Sequence, residues 1–110
     1  MREQAAWALG LKGDTRSVEP LIRALADTSS GVRAQAAWAL GLRHDRRAVE
    51  PLIQALQSDG ANARAQAAWA LGLIADKRAA ESLTVALKDQ DSRVRAQAAW
   101  ALGMIGVEGT

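Results

Sequence analysis

Hydrophobic and polar positions follow a helical period along the chain, and the pattern recurs every 31 residues. Three segments, VEPLIRAL, VEPLIQAL and AESLTVAL, repeat in phase from residues 18, 49 and 80, and in the second of them Val49, Leu52, Ile53 and Leu56 follow the i, i+3, i+4, i+7 spacing. This spacing predicts a helix with one buried stripe and a solvated opposite side. Pro20 and Pro51 are early in two of these segments, where a missing N–H is tolerated, so each helix should begin only a few residues earlier.

A second helix is predicted after each of these segments, and it is apolar on nearly all sides. Its heptapeptide QAAWALG occurs four times, at residues 4–10, 35–41, 66–72 and 97–103. In the third copy, the stripe expected to face the first helix consists of Ala63, Ala67, Leu71 and Ile74. A stripe on roughly the opposite side consists of Ala65, Trp69 and Leu73. A helix of this kind is buried by several neighbours, which predicts the inner layer of a stack.

The turns and glycines of the repeat set the predicted helix boundaries. Polar turns join the two helices of each unit, and the candidate N-caps are Ser29, Gly60 and Asp91. The glycines at positions 10, 41, 72 and 103 have two interpretations. Each ends its helix in a left-handed cap, or the helix continues and the glycine permits close contact between helices. The second is favoured because the apolar pattern continues to Ile74 and Ile105.

The residue pattern of the repeat also resembles a known family. The consensus D-x-R-A-V-E-P-L-I-x-A-L, a polar turn, and then V-R-x-x-A-A-x-A-L-G-x-I resembles the short HEAT-like repeats first associated with phycobilisome lyases. It is also similar to artificial consensus proteins built from such repeats. The best matches are residues 45–75 and 76–106, and the resemblance covers essentially the whole chain. It implies an all-α, right-handed α-solenoid of about seven helices, with the second helix of each unit on the concave face.

The repeat boundaries predict one domain over residues 1–110. It consists of a partial repeat at 1–13, full repeats at 14–44, 45–75 and 76–106, and a tail at 107–110. Neither end carries the polar cap that usually closes a solenoid. Two accounts of this remain open: a fragment of a longer array, or a protomer whose ends meet another chain.

A row of tryptophans is the candidate binding site. An aliphatic residue follows each one a helical turn later, so the row consists of Trp7, Leu11, Trp38, Leu42, Trp69, Leu73, Trp100 and Met104. Each indole lies flat against the adjacent repeat, or the row forms an apolar groove that a helix, an extended peptide or a second copy covers. The groove is favoured because Trp is costly to leave in water and is enriched in binding hot spots. The leading hypothesis is a non-enzymatic protein- or peptide-binding scaffold that forms a homo-oligomer.

Composition argues against several other classes of function. The chain has no cysteine and one histidine, His44, so thiol chemistry is excluded and acid/base or metal chemistry is hard to assemble. HEAT-like metal hydroxylases need His–Glu pairs, which are missing here, and no catalytic motif is present. We therefore expect no enzyme activity, no catalytic residue, no metal site and no cofactor. Short apolar runs and an N-terminus without a signal-peptide core predict a cytoplasmic protein that does not enter membranes.

Charge gives only weak evidence for a nucleic-acid partner, because the formal net charge is +2. One arginine recurs at a fixed repeat position, as Arg2, Arg33, Arg64 and Arg95. Ion pairs of these arginines with Asp45, Asp59 or Asp76 are favoured over phosphate binding. Three further arginines each stand three residues before a glutamate, a spacing that suits helical ion pairs: Arg16 before Glu19, Arg47 before Glu50 and Arg78 before Glu81. Two alternatives to the scaffold remain: an accessory subunit of a bilin lyase or other pigment-handling enzyme, suggested by the resemblance, and nucleic-acid binding, which is disfavoured.

Overall fold

The structure, a computed structural model, describes residues 18–109 of the chain, and their side chains up to residue 106. The described part contains six α-helices and no strand. Three short helices alternate with three long ones: α1 (Val18–Ala24), α2 (Ser30–Arg43), α3 (Val49–Ala55), α4 (Ala61–Ile74), α5 (Ala80–Ala86) and α6 (Ser92–Gly109). Short 3₁₀ turns at Arg46–Ala48 and Lys77–Ala79 lead into α3 and α5.

The helices form two layers. The most extensive contacts join α2 to α4 and α4 to α6, and each short helix packs on the long helix that follows it. Leu21, Leu52 and Leu83 of the short helices are fully buried, as are Leu40 and Leu71 of the long helices. This arrangement confirms the predicted all-α stack of two-helix repeats. The handedness of the superhelix stays a prediction, and the helix predicted over residues 4–10 lies outside the described residues.

The long helices continue through their glycines, as the apolar pattern predicted. Helix α2 passes Gly41 and ends at Arg43, and α4 passes Gly72 and ends at Ile74. The left-handed caps fall instead on the next residues, His44 with a φ of 56° and Ala75 with a φ of 58°. The Ala75 N–H donates to the Leu71 carbonyl oxygen over 2.9 Å, which satisfies one of the last carbonyls of the helix.

The predicted N-cap residues stand directly before the long helices, and two of the three accept a hydrogen bond there. The Ser29 Oγ accepts a hydrogen bond from the Val32 N–H over 3.4 Å, and Gly60 holds the equivalent position before α4. Asp91 accepts from the Arg93 N–H over 2.8 Å at the start of α6. The turns before α3 and α5 begin in the same way, because Asp45 and Asp76 accept from backbone N–H groups two residues later. These contacts satisfy donors that a helix leaves open at its N-terminus.

Candidate binding face

The tryptophan row lies on one surface of the long-helix layer. Within the described residues this surface, here called the Trp face, consists of Trp38, Leu42, Trp69, Leu73, Trp100 and Met104. Ala67 and Leu71 of α4 are fully buried, and helical geometry places them opposite Trp69. Trp7 and Leu11, the first pair of the row, lie outside the described residues.

Exposure varies along the Trp face. Leu42 is 45% exposed, Trp100 40% and Met104 39%, whereas Trp38, Trp69 and Leu73 are half-buried. Trp38 and Trp69 pack partly against the core. The structure therefore agrees fully with neither interpretation of the sequence. The chain itself partly covers the indoles, whereas Leu42 and Met104 remain open to solvent.

Each described contact between an indole and a glycine joins neighbouring long helices. A methyl group placed on Gly41 would lie 3.1 Å from Cζ3 of Trp69 and 2.9 Å from the Ala70 Cα. The same group on Gly72 would lie 2.6 Å from Cζ3 of Trp100. The glycine thus makes room for both the close helix approach and the six-membered ring of the next tryptophan. One side of each ring lies on the backbone of the preceding long helix, and the remaining ring atoms belong to the Trp face.

Amide side chains lie beside the half-buried indoles. A groove of about 230 Å³ between α2 and α4 is lined by Ala34, Gln35, Trp38, Asn62 and Gln66. Among the described residues, neither these amides nor the indole N–H groups of the Trp face take part in a hydrogen bond. The Gln35 and Gln66 amides and the Trp38 N–H also retain contact with solvent, since none of them is a buried atom without a partner. The groove therefore presents donors and acceptors next to apolar rings.

Sequence reasoning did not identify this amide row. Gln35, Gln66 and Gln97 occupy the first position of the heptapeptide, three residues before each tryptophan. On a helix, residues three apart are neighbours on the surface, so the signal was available in the repeat. It was missed because the glutamine was counted only as an interruption of the apolar circumference.

The repeated arginines hold the turns together instead of forming an open cationic row. Arg33 forms an ion pair with Asp59, and its Nε donates to the Ser58 Oγ over 2.7 Å. The Arg64 Nε donates to the Asp89 carboxylate over 2.8 Å, and its Nη1 donates to the Ser58 carbonyl oxygen over 2.9 Å. The predicted Asp59 pairing is thus confirmed for Arg33, whereas Asp45 and Asp76 pair with other arginines. Arg2 lies outside the described residues.

Burial and charge of the Arg64–Asp89 pair make it the firmest of these links. Both side chains are mostly covered, with 18% and 13% of their surface exposed. The hydrogen bonds from Arg64 lower the pKa of Asp89 below its ordinary value, and the same bonds raise the pKa of Arg64. The pair joins the turn before α6 to α4, so it links two consecutive repeats.

The predicted helical pairing of Arg47 with Glu50 is wrong. The Arg47 guanidinium instead binds Asp45 over 2.8 Å and approaches Glu19 of the preceding repeat at 3.8 Å. Arg78 repeats this pattern with Asp76 at 3.0 Å and Glu50 at 3.9 Å. The reason is that Arg47 lies in the 3₁₀ turn before α3, where the geometry of an α-helix does not apply. The hydrogen bonds from Arg47 and Arg78 lower the pKa of Asp45 and Asp76.

The described residues offer few groups for other chemistry. They contain no cluster of three or more histidine, cysteine or acidic side chains arranged to hold a metal ion. None of the described helices is both long and apolar enough to cross a bilayer. His44 is exposed at the C-cap of α2, where its left-handed backbone ends the helix.

Several solved structures are similar to this chain over nearly its whole length. No curated protein sequence matches the chain. A chain from the complex of CpcE and CpcF of phycocyanin lyase from Nostoc sp. PCC7120 superposes with a TM-score of 0.87 at 30% identity, over 98% of this chain and 48% of that one. Human deoxyhypusine hydroxylase gives 0.82 at 28% identity, over 94% and 36%, and an engineered protein gives 0.80 at 28%, over 96% and 56%. This chain therefore spans about a third to just over half of each neighbour.

The sequence itself carries the family assignment. The model of HEAT repeats matches residues 1–62 and again residues 49–110, so the two matches together span all 110 residues. The matched pattern is the one that produces the paired short and long helices, the glycine contacts and the capped turns described above. The chain belongs to the HEAT-repeat family.

Proposed function

We propose that this protein is a non-enzymatic scaffold whose Trp face binds an extended peptide segment of a partner protein. The observation that supports it is the groove between α2 and α4, where unbonded amides of Gln35 and Gln66 adjoin the half-buried indole of Trp38. A peptide in extended form has free main-chain N–H and C=O groups, which amide side chains match in both directions. Its apolar side chains would cover Leu42 and the open parts of the rings.

The repeat gives such a ligand a matching period. Neighbouring long helices pack about 8–10 Å apart, and three residues of extended chain span about 10 Å. One glutamine and one tryptophan per repeat would then engage every third peptide residue. A flat apolar patch without the amides would instead suit the nonpolar side of a helix.

Charge disfavours the nucleic-acid alternative. Arg33 and Arg64 are paired with Asp59 and Asp89, and Arg47 and Arg78 are paired with Asp45 and Asp76. Cations that already face carboxylates have little to gain from phosphates, which must displace a bonded partner. The Trp face itself carries no charged residue among its six described members.

The test uses peptides selected from a random displayed library on the immobilised 110-residue protein. Leu42→Asp should weaken the dissociation constant of such peptides by about tenfold or more, because it puts a charge beside the groove. The matched control is Val85→Asp, since Val85 is also an exposed aliphatic residue but lies on short helix α5. Gln66→Ala should cost about two- to tenfold, as expected for one lost hydrogen bond. Equal binding by Leu42→Asp and Val85→Asp would refute the proposal.

The likeness to CpcE and CpcF supports a second candidate. In this alternative the chain is an accessory part of a bilin lyase and its Trp face holds a linear tetrapyrrole. The supporting observation is the superposition with one chain of the CpcE and CpcF complex over nearly all of this chain. A spectral titration with a linear tetrapyrrole tests it: an absorption shift that saturates supports the alternative, and an unchanged spectrum removes it.

A further inference from the structure

Consecutive short helices leave grooves between them, in the layer that does not carry the Trp face. A groove of about 480 Å³ lies between α3 and α5, and a similar one of about 440 Å³ lies between α1 and α3. We call them the α3/α5 groove and the α1/α3 groove. The apolar lining of the α3/α5 groove consists of Ile53, Leu56, Val85 and Ala86. Both volumes fall within the range of about 300–1,000 Å³ that is usual for small-molecule sites.

Val85 makes the α3/α5 groove more apolar than its neighbour. Its side chain is 70% exposed. The same repeat position holds Arg23 and Gln54, which are exposed as well, so exposure is a property of the repeat and only the residue type changes. Gln54 lines the α1/α3 groove at the equivalent place. Because Val85 lines its groove together with Ile53 and Leu56, its exposed surface is part of an apolar patch.

The two grooves also differ in the sign of their charge. The charged side chains that line the α3/α5 groove are Arg64, Lys88 and Asp89, so its formal charge is positive. Those that line the α1/α3 groove are Asp27, Arg33 and Asp59, so its formal charge is negative. Arg64 and Asp89 bind each other, whereas Lys88 is exposed and takes part in no hydrogen bond or ion pair among the described residues. The α3/α5 groove therefore offers an anion one cation beside an apolar surface.

We propose that the α3/α5 groove binds a small amphipathic carboxylate, with its apolar body on Ile53 and Val85 and its carboxylate paired with Lys88. Gln90 also lines the groove, and its side-chain amide can donate to the second carboxylate oxygen. Length favours a small molecule over a polypeptide. The seven residues of α5 form a helix of about 10 Å, which is about three residues of extended peptide. The surface is distinct from the Trp face, so this proposal does not rest on the proposed function.

The probe is sodium octanoate, titrated into the ¹⁵N-labelled 110-residue protein and followed by backbone amide shifts. The shifts should saturate and cluster in α3 and α5, with a dissociation constant in about the millimolar range, as expected for a ligand of about ten heavy atoms. Octylammonium has the same apolar chain and the opposite charge, so it should bind about fivefold more weakly or not at all. Added salt should weaken octanoate binding, because the pair with Lys88 is exposed to solvent.

Two variants restore the residue that the preceding repeat has at the same position, which protects the fold. Lys88→Gln copies Gln57, removes the unpaired cation and should weaken octanoate binding about two- to fivefold. Val85→Gln copies Gln54, removes apolar surface and should weaken it about two- to tenfold. The matched control is Lys77→Gln, because Lys77 is exposed, has no partner among the described residues and does not line the groove. This control should bind octanoate like the original protein, and circular dichroism should be the same for all variants.

Three results would overturn the proposal: no saturable shift at millimolar octanoate, equal affinity for octanoate and octylammonium, or equal effects of Lys88→Gln and Lys77→Gln. Shifts centred on α1 would also overturn it, because they place the ligand in the negatively charged α1/α3 groove. Shifts centred on the indoles of Trp38 and Trp69 would do the same by placing it on the Trp face. The Leu42→Asp peptide test is unaffected by these outcomes, so the two proposals fail separately.

Discussion

Trp69 lies against Gly41 of the preceding long helix, with its Cζ3 atom 3.1 Å from the place where a Cβ on that glycine would be. Trp100 and Gly72 repeat this relationship one unit later. The two most prominent features of the heptapeptide, its tryptophan and its glycine, thus form a single contact between repeats. That contact covers one side of the six-membered ring with the preceding helix, and the rest of the indole stays exposed on the Trp face.

The glycines should respond in opposite ways to the same substitution. Gly72→Ala places a methyl group 2.9 Å from the Ala101 Cα, a backbone atom that cannot move without shifting α6, so we expect a loss of about 1–3 kcal/mol in unfolding free energy. Gly103→Ala meets nothing within 4 Å and should gain about 0.5–1 kcal/mol from helix propensity. Urea unfolding at low protein concentration measures both. Destabilisation of similar size at both sites would contradict the described packing.

At the left-handed caps, the introduction of a glycine is predicted to stabilise the fold. Ala75 adopts a φ of 58°, a conformation that costs an alanine about 1 kcal/mol and a glycine almost nothing. Ala75→Gly should therefore raise the unfolding free energy by several tenths of a kcal/mol to about 1 kcal/mol. Ala70→Gly, in the interior of α4, is the control and should lower it. The measurement is again urea unfolding, and a destabilising Ala75→Gly would show that the residue is not in the left-handed conformation.

The Arg64–Asp89 link predicts a dependence of stability on pH. The pKa of Asp89 is lowered by Arg64 in the folded chain, so the pair contributes above the ordinary carboxyl pKa of about 4 and its contribution is lost as pH falls through the folded value. Asp89→Asn should cost about 1–2 kcal/mol at pH 7 and progressively less below about pH 4. The control is Glu81→Gln, since Glu81 is exposed and has no partner among the described residues. A difference at pH 7 that persists unchanged at pH 2 would contradict this role.

The stack of helices was predictable from the sequence because the apolar pattern that produces it recurs every 31 residues. The 31-residue period, the apolar stripes and the continuation of the pattern past Gly72 gave the helices and their two layers, and the structure confirms them. Local spacing predicted less about side-chain partners. Arg47 binds Asp45 and Glu19 because a 3₁₀ turn and a neighbouring repeat set its surroundings, and neither is encoded in the distance between Arg47 and Glu50.

For the Trp face, the sequence predicted which residues share a surface but not how much of each side chain is exposed. Helical geometry placed Trp38 and Leu42 on one surface, but the covered fraction of each depends on how closely two long helices approach. That approach is set by the glycine contact, which a single helix does not reveal. The repeat already places Gln35 and Gln66 next to the tryptophans, but their groove exists only between two packed helices.

The most direct measurement for the Trp face is the NMR spectrum of the four indole N–H groups of the ¹⁵N-labelled protein. With a saturating selected peptide, the account predicts that the indole signals of Trp38 and Trp69 shift, because these N–H groups have no partner within the described chain and gain one from the ligand. Assignment by single Trp→Phe variants identifies each signal. Binding that leaves both signals unmoved while the backbone amides of α3 or α5 shift would place the ligand on the short-helix layer and contradict the account.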